Sequence, residues 1–148
     1  MSKQGIKRHE ALQPLSRHHM IGLHVALKLK RAGTKESRWT VEQIISDARD
    51  FWEPDGNNHF REEEEILIPA YASYGNMYDP NIIDMFVEHA VIRSQMYKLI
   101  ETDMSLTNMH ALGELLEKHI RKEERIIFPM IEKALPEQEL IRLAPYLH

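Results

Sequence analysis

Two turns of this sequence carry histidine and glutamate at the spacing a metal ion needs. His59 is followed four residues on by Glu63, and His119 by Glu123. On a helix, residues i and i+4 share a face, with Cβ atoms about 6 Å apart. One such turn can give its imidazole to one metal while its carboxylate reaches a second. The surrounding segments align without a gap, His59-Phe60-Arg61-Glu62-Glu63-Glu64-Glu65-Ile66-Leu67-Ile68-Pro69 over His119-Ile120-Arg121-Lys122-Glu123-Glu124-Arg125-Ile126-Ile127-Phe128-Pro129. His, Arg, two Glu, Ile and Pro match. A weaker match sets His19, Lys28 and Leu29 over His89, Lys98 and Leu99. The chain therefore reads as two helical hairpins, each offering a histidine and then His-x-x-x-Glu.

The expected arrangement gives one metal His19 and His59, the other His89 and His119, with Glu63 and Glu123 bridging. Imidazole plus carboxylate suits iron, with manganese or zinc as alternatives. Four protein donors per metal leave open positions for solvent, oxygen or peroxide. Two carboxylates leave two Fe(II) ions partly uncompensated, and an oxo or hydroxo bridge balances the oxidised pair. Glu64 and Glu124, five residues after their histidines, compete as ligands. His18 competes with His19, because Ala11, Leu15, Gly22 and Val25 form a second stripe; the repeat favours His19 by pairing it with His89 and His18 with Glu88. His9, His24, His110 and His148 lack such support and read as surface residues.

Four helices are needed to bring these groups together. The first is expected over Pro14 to Arg31, stopped by Gly33. The second opens at Thr40, where Thr40 and Gln43 match a capping box and Trp39 with Ile44 a hydrophobic staple. It runs to about Ser73, with a kink or break at Glu53-Pro54-Asp55-Gly56-Asn57-Asn58. The third opens at Asp79 with Pro80 at the first helical position and ends near Thr102. The fourth runs from Thr107 to about Ala134, and a short helix from Pro136 to Leu143 follows. Pro69 and Pro129 predict kinks just beyond the site. The expected buried stripes are Leu12, Leu15, His19, Leu23 and Ala26; Trp52, His59, Glu63, Ile66 and Ala70; Ile82, Phe86, His89, Met96 and Leu99; and Leu112, Leu116, His119, Glu123, Ile126 and Met130. The spacing of three and four is that of a helix face turned to a core. The aromatics Trp52, Phe60, Phe86 and Phe128 read as core. The fold class is all-α: an antiparallel up-down four-helix bundle with a short C-terminal helix, one domain over 1–148.

Composition excludes other chemistries. With no cysteine among 148 residues, disulfides, thiol catalysis and thiolate metal sites are ruled out. A net charge of −4 leaves no basic footprint for nucleic acid. No apolar run approaches the roughly 20 residues of a membrane span. The stretch Met1-Ser2-Lys3-Gln4-Gly5 opens no signal-peptide core. A cytoplasmic location is the expectation.

These motifs resemble the hemerythrin-like family, also called the HHE cation-binding domain. Leu15-Ser16-Arg17-His18-His19 looks like its first-helix motif, where an acidic residue often precedes the ligand histidine. Phe51-Trp52 with His59-Phe60-x-x-Glu63-Glu64 looks like the second, Glu88-His89 the third, and His119-x-x-x-Glu123-Glu124 the fourth. The resemblance covers about residues 10 to 135. Oxygen-carrying members place a fifth histidine one turn after the third-helix ligand, where this chain has Arg93, and close with Asp five residues after the last histidine. The pattern here is similar to the four-histidine, two-glutamate branch, which implies two iron ions and a small diatomic or peroxide ligand. Arg93, unable to ligate while charged, could donate hydrogen bonds to bound peroxide or to Glu123. The resemblance implies a module that binds or senses oxygen, nitric oxide, peroxide or iron. Its alternatives are a peroxide-decomposing or other di-iron oxidoreductase and a structural bundle with vestigial ligands.

Overall fold

The computed structural model describes residues 7–148; the Met1 to Gly5 stretch lies outside them. Four long helices and a short C-terminal one make up the chain, with no strand among the described residues. Helix α1 is Gln13–Arg31, with Pro14 in its first turn. Gly33 ends its run at φ 71°, a left-handed conformation that glycine adopts without a Cβ penalty. Helix α2 spans residues 41–72. The capping box forms at its start: the Gln43 N–H donates to Thr40 Oγ1 at 3.1 Å and the Thr40 N–H to Gln43 Oε1 at 2.9 Å. Helix α3 is Pro80–Glu101, and the Asp79 carboxylate accepts from the Asn81 N–H at 2.8 Å. Helix α4 spans residues 106–134. It opens ahead of the expected Thr107 because Ser105 is the cap, its Oγ accepting from the Asn108 N–H at 3.1 Å. Helix α5, Glu137–Leu143, follows. Single 3₁₀ turns at Glu10–Leu12 and Ala144–Tyr146 were not expected from the sequence.

The breaker cluster does not end α2. Residues Trp52–Gly56 widen into a π turn, in which the Asn57 N–H reaches back five residues to the Trp52 carbonyl. Two more π turns occur, at Glu63–Leu67 in α2 and Glu123–Ile127 in α4. In each, the N–H before the proline reaches back to the glutamate: Ile68 to the Glu63 carbonyl, Phe128 to that of Glu123. The wide turn spares the proline ring its clash with the carbonyl four residues back. Pro69 and Pro129 thus follow a π turn.

Each π turn holds one residue more than an α turn, so the buried face moves on by one position. The expected stripe residues Ile66 and Ala70 are only half-buried, and Leu67 and Tyr71 are buried instead. In α4, Ile126 is exposed and Met130 half-buried, while Ile127 and Ile131 are fully buried. In α3, Phe86 points outward and Met85 takes the core position beside Ile82. Trp52 and Leu23 are half-buried; Phe60 and Phe128 are core.

The apolar core is two clusters. One gathers Leu12, Leu15, Leu67, Met85, Ile127 and Phe128, and α5 adds Leu140 and Leu143. The other gathers Val25, Leu29, Ile44, Phe51, Ile92 and Leu116. On every long helix the histidine falls between the two: His19 between Leu15 and Val25, His89 between Met85 and Ile92. No helix among the described residues is long and apolar enough to cross a membrane.

Helix α1 packs most extensively on α4, and Gly113 permits the approach. A Cβ there would lie 2.7 Å from the Ala26 carbonyl oxygen and 2.8 Å from the Lys30 nitrogen, both backbone atoms. Gly113→Val is expected to cost about 1–3 kcal/mol through overpacking. Chemical denaturation checks this; an unchanged midpoint would show that the two helices have room to spare.

Candidate metal centre

The layer between the two clusters is made of ionisable groups. His19, His59, Glu63, His89, His119 and Glu123 are all buried, at 4% exposure or less. They form two sets of four: His19, His59, Glu63 and Glu123, and Glu63, His89, His119 and Glu123. The two glutamates belong to both sets, one oxygen turned to each. Glu123 Oε1 lies 2.9 Å from His19 Nε2, and its Oε2 3.0 Å from His119 Nε2 and 3.2 Å from His89 Nε2. Glu63 Oε2 lies 2.9 Å from His59 Nε2, and its Oε1 3.1 Å from His89 Nε2.

These short contacts are not all hydrogen bonds. His19 Nε2, His119 Nε2, Glu63 Oε1 and Glu123 Oε1 are buried with no hydrogen-bond partner. Leaving such atoms unpaired costs roughly 1–3 kcal/mol each, and native proteins seldom do so. Adjacent ligands of an octahedral ion with bonds near 2.1 Å lie about 3 Å apart, close to the spacing found. The unpartnered atoms and the donor types both fit a metal ion.

The outer nitrogens are tied down as well. His19 Nδ1 meets Glu124 Oε2 at 2.6 Å, His89 Nδ1 meets Glu64 Oε2 at 2.7 Å, and His119 Nδ1 meets Glu88 Oε1 at 2.8 Å. Each carboxylate has a cation behind it. Arg8 lies 3.2 Å from Glu124, Lys122 2.6 Å from Glu88, and Arg93 grips Glu64 with two contacts of 2.9 Å. The fourth histidine differs: His59 Nδ1 faces His18 Nδ1 at 3.1 Å. Each of the four Nδ1 contacts joins two helices, α1 to α4, α2 to α3, α3 to α4 and α1 to α2, so they close a ring around the bundle. A fixed Nδ1 partner leaves the Nε2 lone pair aimed inward.

The competing candidates separate clearly. Glu64 and Glu124 hold histidines from outside. His18 lies in neither set and stacks on Phe51 at 4.7 Å. Arg93 turns to Glu64 and to Asn57 Oδ1 at 2.8 Å, rather than to Glu123. His9, His24, His110 and His148 join neither set; His9 and His110 are half-buried, bonded to Glu137 and to the Ala32 carbonyl. Sequence reasoning gave no role to Arg8, Glu88 or Lys122. Glu88 carried a signal, as the repeat partner of His18; Arg8, before the first helix, carried none.

Burial shapes the protonation of the metal-free site. It lowers His19, but Glu123 and Glu124 more than reverse this and hold it up at about 9. His89, likewise penalised by burial, is raised to about 11 by Glu123, Glu63 and Glu64. Glu123 is pulled well below the carboxylate range, since His119, His19 and His89 outweigh its burial. His18 has no carboxylate partner; burial, then His59 and His19, push it down to about 4.

A family model, the hemerythrin HHE cation-binding domain, matches residues 10–139. No curated protein and no solved structure matches the chain.

A pH dependence of the metal-free protein follows. Raised histidines stabilise the fold fully below their unfolded value of 6.5, and that stability is lost as pH climbs to about 9 for His19 and 11 for His89. The depressed His18 works oppositely, with its contribution lost as pH falls from 6.5 to about 4. Denaturation of chelator-treated protein is expected to show maximal stability near pH 6.5. A stability still rising at pH 9 would contradict the pairing of His19 with Glu123 and Glu124.

Proposed function

The chain belongs to the hemerythrin HHE cation-binding domain family, and on that premise we propose that it is a di-iron protein that binds a small oxidant: oxygen, nitric oxide or peroxide. One observation carries the reading: two four-donor sets share both glutamates, with four donor atoms unpartnered. In this reading His19 and His59 hold one ion, His89 and His119 the other, and Glu63 and Glu123 span the two. Imidazole and carboxylate donors suit iron, though manganese and zinc accept similar sets. Two irons there would supply a pair of redox-active centres able to take an exogenous ligand. The chain's own groups do the rest. Glu124, Glu64 and Glu88 keep three imidazoles in one tautomer. Phe60, stacked on His89 at 3.8 Å between centroids, and Phe128 over His19 wall the site with apolar rings. Burial admits only a ligand of few atoms. With Arg93 engaged by Glu64 at the position of the carriers' fifth histidine, the two sets are alike in donor number, and neither would be closed to an exogenous ligand.

The test begins with metal analysis of protein produced in iron-replete medium. About two irons per chain are expected from the donor count, with an absorption spectrum that changes between anaerobic protein and protein exposed to oxygen or nitric oxide. One tightly held metal, or none after reconstitution, would sink the dinuclear reading. Gas evolution from added peroxide, with iron retained, would move the function to a peroxide-decomposing enzyme. Glu123→Ala is expected to lose metal and lower the melting temperature by on the order of 5 °C. Glu124→Gln keeps its metals but binds them about 10–100-fold more weakly. A larger metal loss in the Glu124 variant would reverse the ligand register on α4.

A further inference from the structure

The ring of outer contacts breaks the two-fold pattern at one place. The internal repeat superposes His59 on His119 and His18 on Glu88. The pair His119 Nδ1 to Glu88, at 2.8 Å, therefore corresponds to the pair His59 Nδ1 to His18 Nδ1, at 3.1 Å. Three inward-facing histidines are held by a carboxylate with a cation behind it, and His59 alone by an imidazole. A carboxylate on the outer nitrogen makes the imidazole a stronger donor, and losing such a partner typically weakens metal binding about 10–100-fold. An imidazole supplies the geometry of that contact without the negative charge.

A second difference lies on the same side. His89 and His119 have no exposure, whereas His19 and His59 keep 4% each. His18 also lines an open cavity of about 260 Å³, with Phe51 at its wall and Asp50, Asp55 and His24 around it. A groove of about 300 Å³ reaches His19 and Glu124 from the other side. The position with the weaker donor is thus the one nearer water.

We propose that His18 makes the two metal positions unequal: the one built on His19 and His59 binds its ion more weakly, fills last and empties first, through the cavity beside His18. This rests on the di-iron reading, and His18 acts as a positioning residue through His59. The protein would then pass through a defined one-metal state with the ion on His89 and His119.

Anaerobic titration of the metal-free full chain with ferrous iron tests this. Two steps are expected, with dissociation constants at least about tenfold apart. At one equivalent, Mössbauer spectroscopy should show an isolated ion instead of a spin-coupled pair. His18→Glu, which restores the repeat, should strengthen the weaker step about tenfold or more and leave the tighter one in place. His18→Gln should keep the two steps apart. Should the carboxylate variant fold poorly, Glu88→Gln is the complementary test: it should weaken the tight step and bring the two together. Equal steps in the parent, coupled pairs at half-loading, or unequal steps unmoved by both His18→Glu and Glu88→Gln would each overturn the proposal. Fewer than two ions bound at saturation would instead overturn the di-iron reading beneath it.

Discussion

Four imidazoles and two carboxylates lie in mid-core, and nothing apolar can compensate them. Burying such groups without partners costs several kcal/mol apiece, a large share of a typical domain's net stability. The fold meets this constraint in shells. Opposite partial charges face one another inside. Around three of the histidines sit carboxylates, and outside those sit Arg8, Arg93 and Lys122. The apolar residues divide into one cluster on each side of the polar layer, because a layer that needs polar partners on all sides cannot be packed through.

The same constraint explains how the helices are held together. Apolar faces alone specify a bundle loosely, since hydrophobic packing is tolerant of sliding and repacking. Here each outer contact pairs one atom on one helix with one atom on the next, and four of them run round the bundle. A shift of any helix by one turn would separate a buried histidine from its half-buried partner and leave the histidine unpaired. Polar specificity of this kind fixes register where packing density cannot.

Much of the arrangement was legible because it is periodic or local. The Thr40–Gln43 box, Gly33, and Asp79 with Pro80 are local signals, and each behaves as its chemistry dictates. The meeting of the six His and Glu residues could be anticipated from a duplicated motif, since duplication turns one weak spacing into a pattern; their role as ligands remains a proposal. Less legible was whatever depends on a distant partner or a change of period. Counting threes and fours turns Phe86 to the core, yet Met85 lies on the inward side. An unbroken α period places Ile66 and Ile126 inward, and the π turns move that face on to Leu67 and Ile127. Arg93 could not be assigned from its own helix, because its partner Glu64 lies on another. Arg8 lies ahead of all helical periodicity and meets residues more than a hundred positions away.

The two π turns ahead of Pro69 and Pro129 put the halves of α2 and α4 in different reading frames. Up to Glu63 and Glu123 the inward face follows one count, and beyond them the same count is advanced by one residue. The extra residue is a phase slip, taken up within five positions and never returned. Closing either turn into a plain α-helix at constant length would swing everything downstream by about 100°, presenting Ile66 and Ala70, or Ile126 and Met130, to the core; removing one residue as the turn closes would cancel that swing and leave Leu67 and Tyr71, or Ile127 and Ile131, facing inward. Turn geometry and segment length are therefore tied to one another here. With its present length each segment keeps the downstream face inward only as a wide turn, and one residue shorter it would do so only as a plain α turn.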